Sequence, residues 1–221
     1  MNHKSHIVKP ANIIAYFDFD GTLTKCDTLL PFIIHTVSIK KLLLKLPVIL
    51  WIVCRYLLKI INNEEAKILF LTSTIKNMPR DYLEQKAQEF ALNKLDKYLK
   101  PQIYEKLQHH IKENHTIAIV SANLAVYLKY WAKKHNVNYV IGTNIQFINN
   151  IATGGLDGHN CYGMEKVIRI KEFLKTQNLH FTDSYAYGNS RGDFEMLDFA
   201  HHSYFIYKNT SHPWNQYKAK K

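Results

Sequence analysis

Two aspartates separated by one residue, Asp18 and Asp20, follow the apolar run Ile13-Ile14-Ala15-Tyr16-Phe17 and precede Gly21. In extended chain, side chains two apart project to the same side, so both carboxylates leave the run together. Held this close they repel, which calls for a cation or for one of them to keep its proton. Either answer is useful. One carboxylate can ligate a hard cation and attack phosphorus, while the other, protonated, can donate to a leaving oxygen. Gly21 lets the chain turn and brings backbone N–H groups near a bound anion. An acidic turn capping a helix has the same composition, and the groups downstream separate the two. Ser121 ends a second apolar run, where its hydroxyl and the Ala122 N–H can hold a phosphoryl oxygen; a lone Ser would only be a helix N-cap. Lys166 falls in the first turn of a helical stretch after a glycine-rich loop, adding a cation to a helix N-terminus. Asn189 and Asp193 offer two oxygen-bearing side chains four apart, of the kind Mg²⁺ takes.

These groups need a scaffold that delivers them to one edge. Runs rich in β-branched and aromatic residues recur at 12–17, 116–121, 138–143, 184–188 and 203–207. Each has the length of a strand buried on both faces, where polar alternation is lost. Helical patterns at 124–135, 165–176 and 193–200 separate the later ones. Strand–helix alternation predicts an α/β fold: a parallel sheet with helices on both faces. Ligands of such sheets gather outside the carboxyl ends of the strands, where the candidates lie.

Between the first two strands lie almost a hundred residues of helical pattern, at 38–61, 64–77, 80–99 and 102–114, with Pro47 kinking the first. A crossover needs only about a dozen residues, so most of this is an inserted helical subdomain. The expected division is an α/β core of 1–27 and 116–221 and a helical cap of 28–115, whose last helix packs on the core. Residues 144–158 read as a hairpin around Asn149-Asn150 followed by a loop. The polar tail from Lys208 reads as a loosely held end.

Composition bounds the partners. The 221 residues are 47% apolar and 21% charged, which excludes disorder, and carry a net charge of +11, which favours an anionic ligand. Cys26, Cys54 and Cys161 form no CxxC pair, and the odd count argues for a reducing compartment. We expect a cytoplasmic protein, peripheral on the inner membrane face. The longest apolar run of the greasy 42–61 stretch, nine residues from 46 to 54, falls short of the roughly 18 that span a bilayer. Between Asp27 and Glu64 there is no acid, yet there are five bases: Lys40, Lys41, Lys45, Arg55 and Lys59. On one continuous helix Lys41, Lys45, Arg55 and Lys59 share an arc of about 80°, a basic stripe suited to an anionic membrane surface or to a solvated face of a core helix. Aromatic residues are not interleaved with bases in any nucleic-acid module, so no nucleic acid is expected. His109, His110, His201 and His202 are read as surface residues.

DFDGTLT, a strand-terminal Ser, a later Lys and GNxxxD in this order resemble the four motifs of the haloacid dehalogenase-like phosphohydrolases. The helical insert and the Gly-x-x-Lys opening a helix look like the phosphoserine-phosphatase-like branch. The resemblance spans residues 12–207 and implies a Rossmann-like core with an α-helical cap. It also implies a Mg²⁺-dependent phosphomonoesterase. Asp18 would be the nucleophile and a metal ligand. Asp20 would be the general acid and base, with its carbonyl on the metal. Ser121, Ala122 and Lys166 would hold the phosphoryl group. Asn189 stands where the family usually has Asp and, with Asp193, would complete the metal set.

DGTLTxxDTLLPF is similar to a bacterial group that includes phosphatidylglycerophosphate phosphatases, so the substrate would be a phospholipid head-group phosphate. The alternatives are a phosphorylated small molecule such as phosphoserine, or a membrane-surface binding protein with impaired catalysis. Phosphoserine-specific relatives carry an acid shortly after the first motif, a part Asp27 could play, but Leu29-Leu30-Pro31-Phe32 does not continue a polar pocket.

Overall fold

The computed structural model describes residues 12–219. The expected core boundaries at residues 1 and 221 lie outside the described residues. Five strands run parallel in spatial order β3 (Tyr139–Ile148), β2 (Thr116–Leu124), β1 (Ile13–Phe17), β5 (Asp183–Gly188) and β6 (His202–Tyr207). Two antiparallel strands complete the sheet, β4 (Ile151–Asp157) beside β3 and β7 (Thr210–Pro213) beside β6. The parallel α/β reading holds for the centre, and the edges make the sheet mixed.

Both faces are covered, which is why the strands lack polar alternation. Ala15 and Phe17 face one cluster with Leu71, Phe90, Leu107 and Trp131. Ile14 and Tyr16 face the other with Ile170, Met196, Leu197 and Trp214. The first side holds α5 (Arg80–Asn93), α6 (Pro101–Lys112) and α7 (Ala125–Lys134), the second α8 (Met164–Thr176) and α9 (Phe194–Phe199). Of these, α5 packs on α7, and α6 packs on β2 and on the turn after β1.

The hairpin forms as read, with Asn149 and Asn150 at φ of 48° and 62°, the mirror-image turn Asn tolerates best after Gly. It also carries the insert. The helix α4 (Asn63–Ile75) lies on β4, where a Cβ at Gly154 would sit 2.4 Å from Thr72 Cα. Beyond α4 the chain is stitched to the hairpin through main-chain bonds: Asn77 N donates to Ala152 O, Ala152 N to Met78 O, and Arg80 N to Asn150 O.

Several expectations need correction. The 38–61 stretch is two helices, α2 (Ile39–Leu44) and α3 (Leu46–Leu57), because Pro47 starts a new helix in its first turn rather than kinking an old one. Lys45 lies at the break and Lys59 beyond α3 at φ 58°, so the bases do not share one helical face. An unread helix, α1 (Leu29–Thr36), forms over Pro31, whose missing N–H falls in the first turn and costs no bond. The 80–99 stretch ends as α5 at Asn93 and continues as one tight turn, Leu95–Tyr98. As far as Ala219 the tail is not loose. It supplies β7 and α10 (Trp214–Lys218), and Trp214 is buried with its Nε1 donating to Asp198 Oδ1 at 2.6 Å. His110 is not at the surface either: α6 turns it inward against Tyr187, whose hydroxyl lies 2.9 Å from Nε2.

Candidate active site

The strand order places the ends of β1, β2 and β5 side by side, so Asp18, Ser121 and the 188–193 turn meet at one edge. Asp18 leaves β1 with its backbone N–H donating to Tyr187 O of β5, and its side chain is buried. Its Oδ1 accepts from Lys166 Nζ at 2.8 Å and its Oδ2 from Thr22 Oγ1 at 2.8 Å. Lys166, at the start of α8, is buried and also donates to Val120 O at 2.8 Å and Asp193 Oδ1 at 2.6 Å. Burial works against its charge, but Asp18 and Asp193 outweigh that and hold the ammonium protonated. Burial and then Asp193 push Asp18 above the ordinary carboxylate range, against the pull of Lys166.

Asp193 has no idle oxygen. Its Oδ2 accepts from Asn189 N, Ser190 N and Ser190 Oγ at 3.0, 2.9 and 2.8 Å. It therefore fixes both Lys166 and the turn that presents Asn189. The Asn189 Oδ1 and Asp18 Oδ2 atoms face one hydroxyl, Thr22 Oγ1, at 3.0 and 2.8 Å. That hydroxyl has one proton for two acceptors, so the site is rich in oxygen lone pairs. Gly21 permits this approach: at φ 76°, a Cβ there would sit 2.3 Å from Asn189 Nδ2. Oxygen donors gathered in this way fit Mg²⁺. No trio of His, Cys, Asp and Glu side chains arranged for a metal occurs among the described residues.

Asp20 lines the same cavity as Asp18 but has other partners, Thr28 and Asn123. Its Oδ1 accepts from Thr28 Oγ1 at 2.7 Å, and its Oδ2 accepts from Thr28 N at 3.0 Å and from Asn123 Nδ2. Burial, and then the charge of Asp27, push its pKa up to about 8. The two carboxylates thus differ in their partners: Asp18 faces an ammonium, and Asp20 a hydroxyl and two N–H groups.

A cavity of about 430 Å³ opens onto these groups. Asp18, Asp20, Ser121, Ala122 and Lys166 line its floor. Leu29, Leu30, Ile49, Ile52, Val53 and Phe70 make an apolar wall. Asp27, Asn63 and Lys67 add polar groups. Ser121 is buried, with Asn123 N donating to its Oγ at 3.1 Å.

Four contributors escaped the sequence. Thr28 and Asn123 hold Asp20. Lys100, buried ahead of α6, donates to Gly21 O. Lys67 of α4 donates to Ala122 O and, at 2.8 Å, to Asn160 Oδ1, and burial lowers its pKa to about 8. A signal for Lys67 was available: Asn63, Ala66, Lys67 and Phe70 follow helical spacing and line one cavity wall. The other three are ordinary residue types, Thr28 and Lys100 just ahead of helices and Asn123 near the end of β2, with nothing local to mark them.

Comparison with known proteins agrees with this fold. Protein CicA of Caulobacter vibrioides (strain NA1000 / CB15N) is 28% identical over 193 residues, covering 85% of this chain and 83% of that protein. A Bordetella pertussis Tohama I protein of unknown function has the same fold, with a TM-score of 0.74 at 20% identity over 87% of this chain and 89% of its own. A phosphoserine phosphatase in the form of a phospho-aspartyl intermediate analogue aligns with a TM-score of 0.60 at 17% identity, over 88% and 86% of the two chains. The model of the haloacid dehalogenase-like hydrolases matches residues 15–198, so the chain belongs to that hydrolase family.

Proposed function

We propose that the protein is a Mg²⁺-dependent phosphomonoesterase that works through an aspartyl-phosphate on Asp18. The observation that carries this reading is the division of labour between two carboxylates two residues apart. Asp18 accepts from the Lys166 ammonium at 2.8 Å, and Asp20 is held by Thr28 and Asn123 where burial raises its pKa to about 8. An anionic phosphate ester approaches Asp18 only if its charge is offset. Lys166 supplies one positive charge, and the Ser121 hydroxyl and Ala122 amide bind phosphoryl oxygens. Asp18 attacks phosphorus, the bond to the ester oxygen breaks, and Asp20 gives its proton to the departing oxygen. Asp20 then takes a proton from the water that opens the acyl-phosphate. Mg²⁺, when bound, supplies further offset of the phosphoryl charge. The Asp18 carboxylate, the Asp20 main-chain carbonyl and Asn189 would hold it, with Asp193 directly or through water. Asn189 brings no charge, so the set binds the metal less tightly than one with Asp there.

The finer reading of substrate is a phospholipid head-group phosphate. The apolar wall of Leu29, Leu30, Ile49, Ile52 and Val53 favours it, because a hydrocarbon portion beside the head group gains by leaving water. The matching site of action is a membrane surface. A second reading, a soluble phosphoamino acid such as phosphoserine, is favoured by Asp27 and Lys67 in the same cavity, which offer opposite charges to an ammonium and a carboxylate. Phosphate release from phosphatidylglycerophosphate in detergent, phosphoserine and an aryl phosphate, with Mg²⁺ or EDTA, tests both. Release that requires Mg²⁺ supports the reaction, and the preferred ester decides the class. Folded protein that releases phosphate from none of the three would refute it.

A further inference from the structure

We infer that the outward face of α2 and α3 is a docking surface for an anionic lipid bilayer, set so that docking brings the cavity mouth to the lipid. The inference uses the phosphomonoesterase reading for what the cavity does there; the docking itself stands on the surface alone.

A helix of a water-soluble domain buries one face. These two scarcely do. From residue 38 to residue 60 every residue is exposed except Leu42, Ile49, Ile52 and Arg55, and Ile52 alone is fully buried. Leu43, Leu44, Leu57 and Leu58 are 63%, 80%, 72% and 71% exposed, and Trp51 is half exposed. Apolar surface this continuous marks a contact site.

Charge selects the occupant. The apolar residues are interspersed with Lys40, Lys41, Lys45, Arg55 and Lys59, and no acid lies between Asp27 and Glu64. A second copy of this face would set these bases against their own kind, and an uncharged protein groove would strip them of water without compensation. An anionic bilayer satisfies both properties at once. The ammonium and guanidinium groups stay at head-group level on long stems while the leucines and Trp51 enter the acyl boundary. Arg55 already stacks over Trp51, at 4.5 Å from the ring centre, a cation and an aromatic paired for the interface. No helix among the described residues is long and apolar enough to cross a membrane, so these helices lie on the surface.

The face is continuous with the catalytic cavity. Leu30, Val53 and Tyr56 line the cavity and are each more than two-fifths exposed, so its rim is made of the same apolar surface. A lipid phosphomonoester enters head first from the docked layer, its phosphate reaching Asp18 while its chains stay along α3.

The test is co-sedimentation of the full chain with vesicles containing phosphatidylglycerol and with vesicles of phosphatidylcholine alone, at low and high salt. The protein is expected on the anionic vesicles only, and released by salt. Tryptophan emission is expected to shift blue on binding. Trp131 and Trp214 are buried, so the shift reports Trp51, and Trp51→Phe removes it. Lys41→Ala/Lys45→Ala should weaken the partition by roughly 30-fold, about 1 kcal/mol for each base. Leu44→Gln/Leu57→Gln should abolish the emission shift. Both pairs lie outside the catalytic groups, and unchanged hydrolysis of a soluble aryl phosphate certifies their fold. The inference is overturned if wild type stays in the supernatant at low salt, or if neither pair changes binding. It is also overturned if wild type is a dimer that Leu44→Gln/Leu57→Gln makes monomeric and vesicles leave untouched. Vesicle binding by a protein that hydrolyses no ester supports docking and strikes the phosphatase reading instead.

Discussion

Asp18 and Lys166 are the residues on which the proposed chemistry turns, and their setting says how to separate activity from stability. Lys166 keeps Asp193 at 2.6 Å when Asp18 loses its charge, so Asp18→Asn strands no unpaired buried ammonium. Asp18→Asn should lower phosphate release at least about 1,000-fold while the protein still melts cooperatively, read by a phosphate assay beside circular dichroism. Asp193 is the contrary case, since its removal frees both Lys166 and the 189–190 turn. Asp18, Asp20, Ser121 and Asp193 after strand patterns, and Lys166 in the first turn of a helix, were legible as neighbours because their types and order single them out, and all five line one cavity. Thr28, Asn123 and Lys100 were not, because only the folded chain gives them their partners. His110 was misread because adjacent histidines on a helix point in different directions, and one of these points inward. Burial, with His115 and His109 adding to it, lowers its pKa from 6.5 to about 4. It is faced by Phe17, Tyr185, Tyr187 and the His115 ring, none of which carries a negative charge. The unfolded chain therefore binds a proton between pH 6.5 and about 4 that the native state refuses, and stability falls as pH drops through that window. His110→Phe should flatten that part of a Tm-against-pH curve.

At the scale of elements, the hairpin β3–β4 and the helix α4 form one unit. Gly154, at φ 84°, leaves no room for a methyl group against the Thr72 backbone. Gly154→Ala should cost about 1–3 kcal/mol in urea denaturation, from strain and enforced separation. The Lys67 bonds to Ala122 O and Asn160 tie the same helix to the sheet edge beside Ser121, so Lys67→Met should raise KM more than it lowers kcat. The hairpin was legible from its paired asparagines, and the parallel strands from apolar runs of the right length. The break at Lys45 was not, because proline at a helix start and proline at a kink differ only in what precedes them.

For the whole molecule, the sheet is closed at its β6 edge by the tail. Trp214 packs on Phe205 and Phe194 there, and Trp214→Ala should destabilise the protein by about 3–5 kcal/mol in thermal or denaturant melts. Composition hid this, since lysines near a terminus outweigh one tryptophan in any local average. Removal of divalent metal with EDTA should stop phosphate release, and Mg²⁺ should restore it. The main-chain stitches from residues 77, 78 and 80 to the hairpin have a consequence for how such a chain can diversify. They fasten α4 and α5 to the catalytic body, whereas α2 and α3 attach chiefly through α4. Residues 38–61 are thus a cassette: exchange of this one segment alters what is delivered to Asp18 and leaves Asp18, Lys166 and their supports in place. A version carrying a polar helical pair in that position should fold and turn over a small aryl phosphate, with its choice among larger esters rewritten.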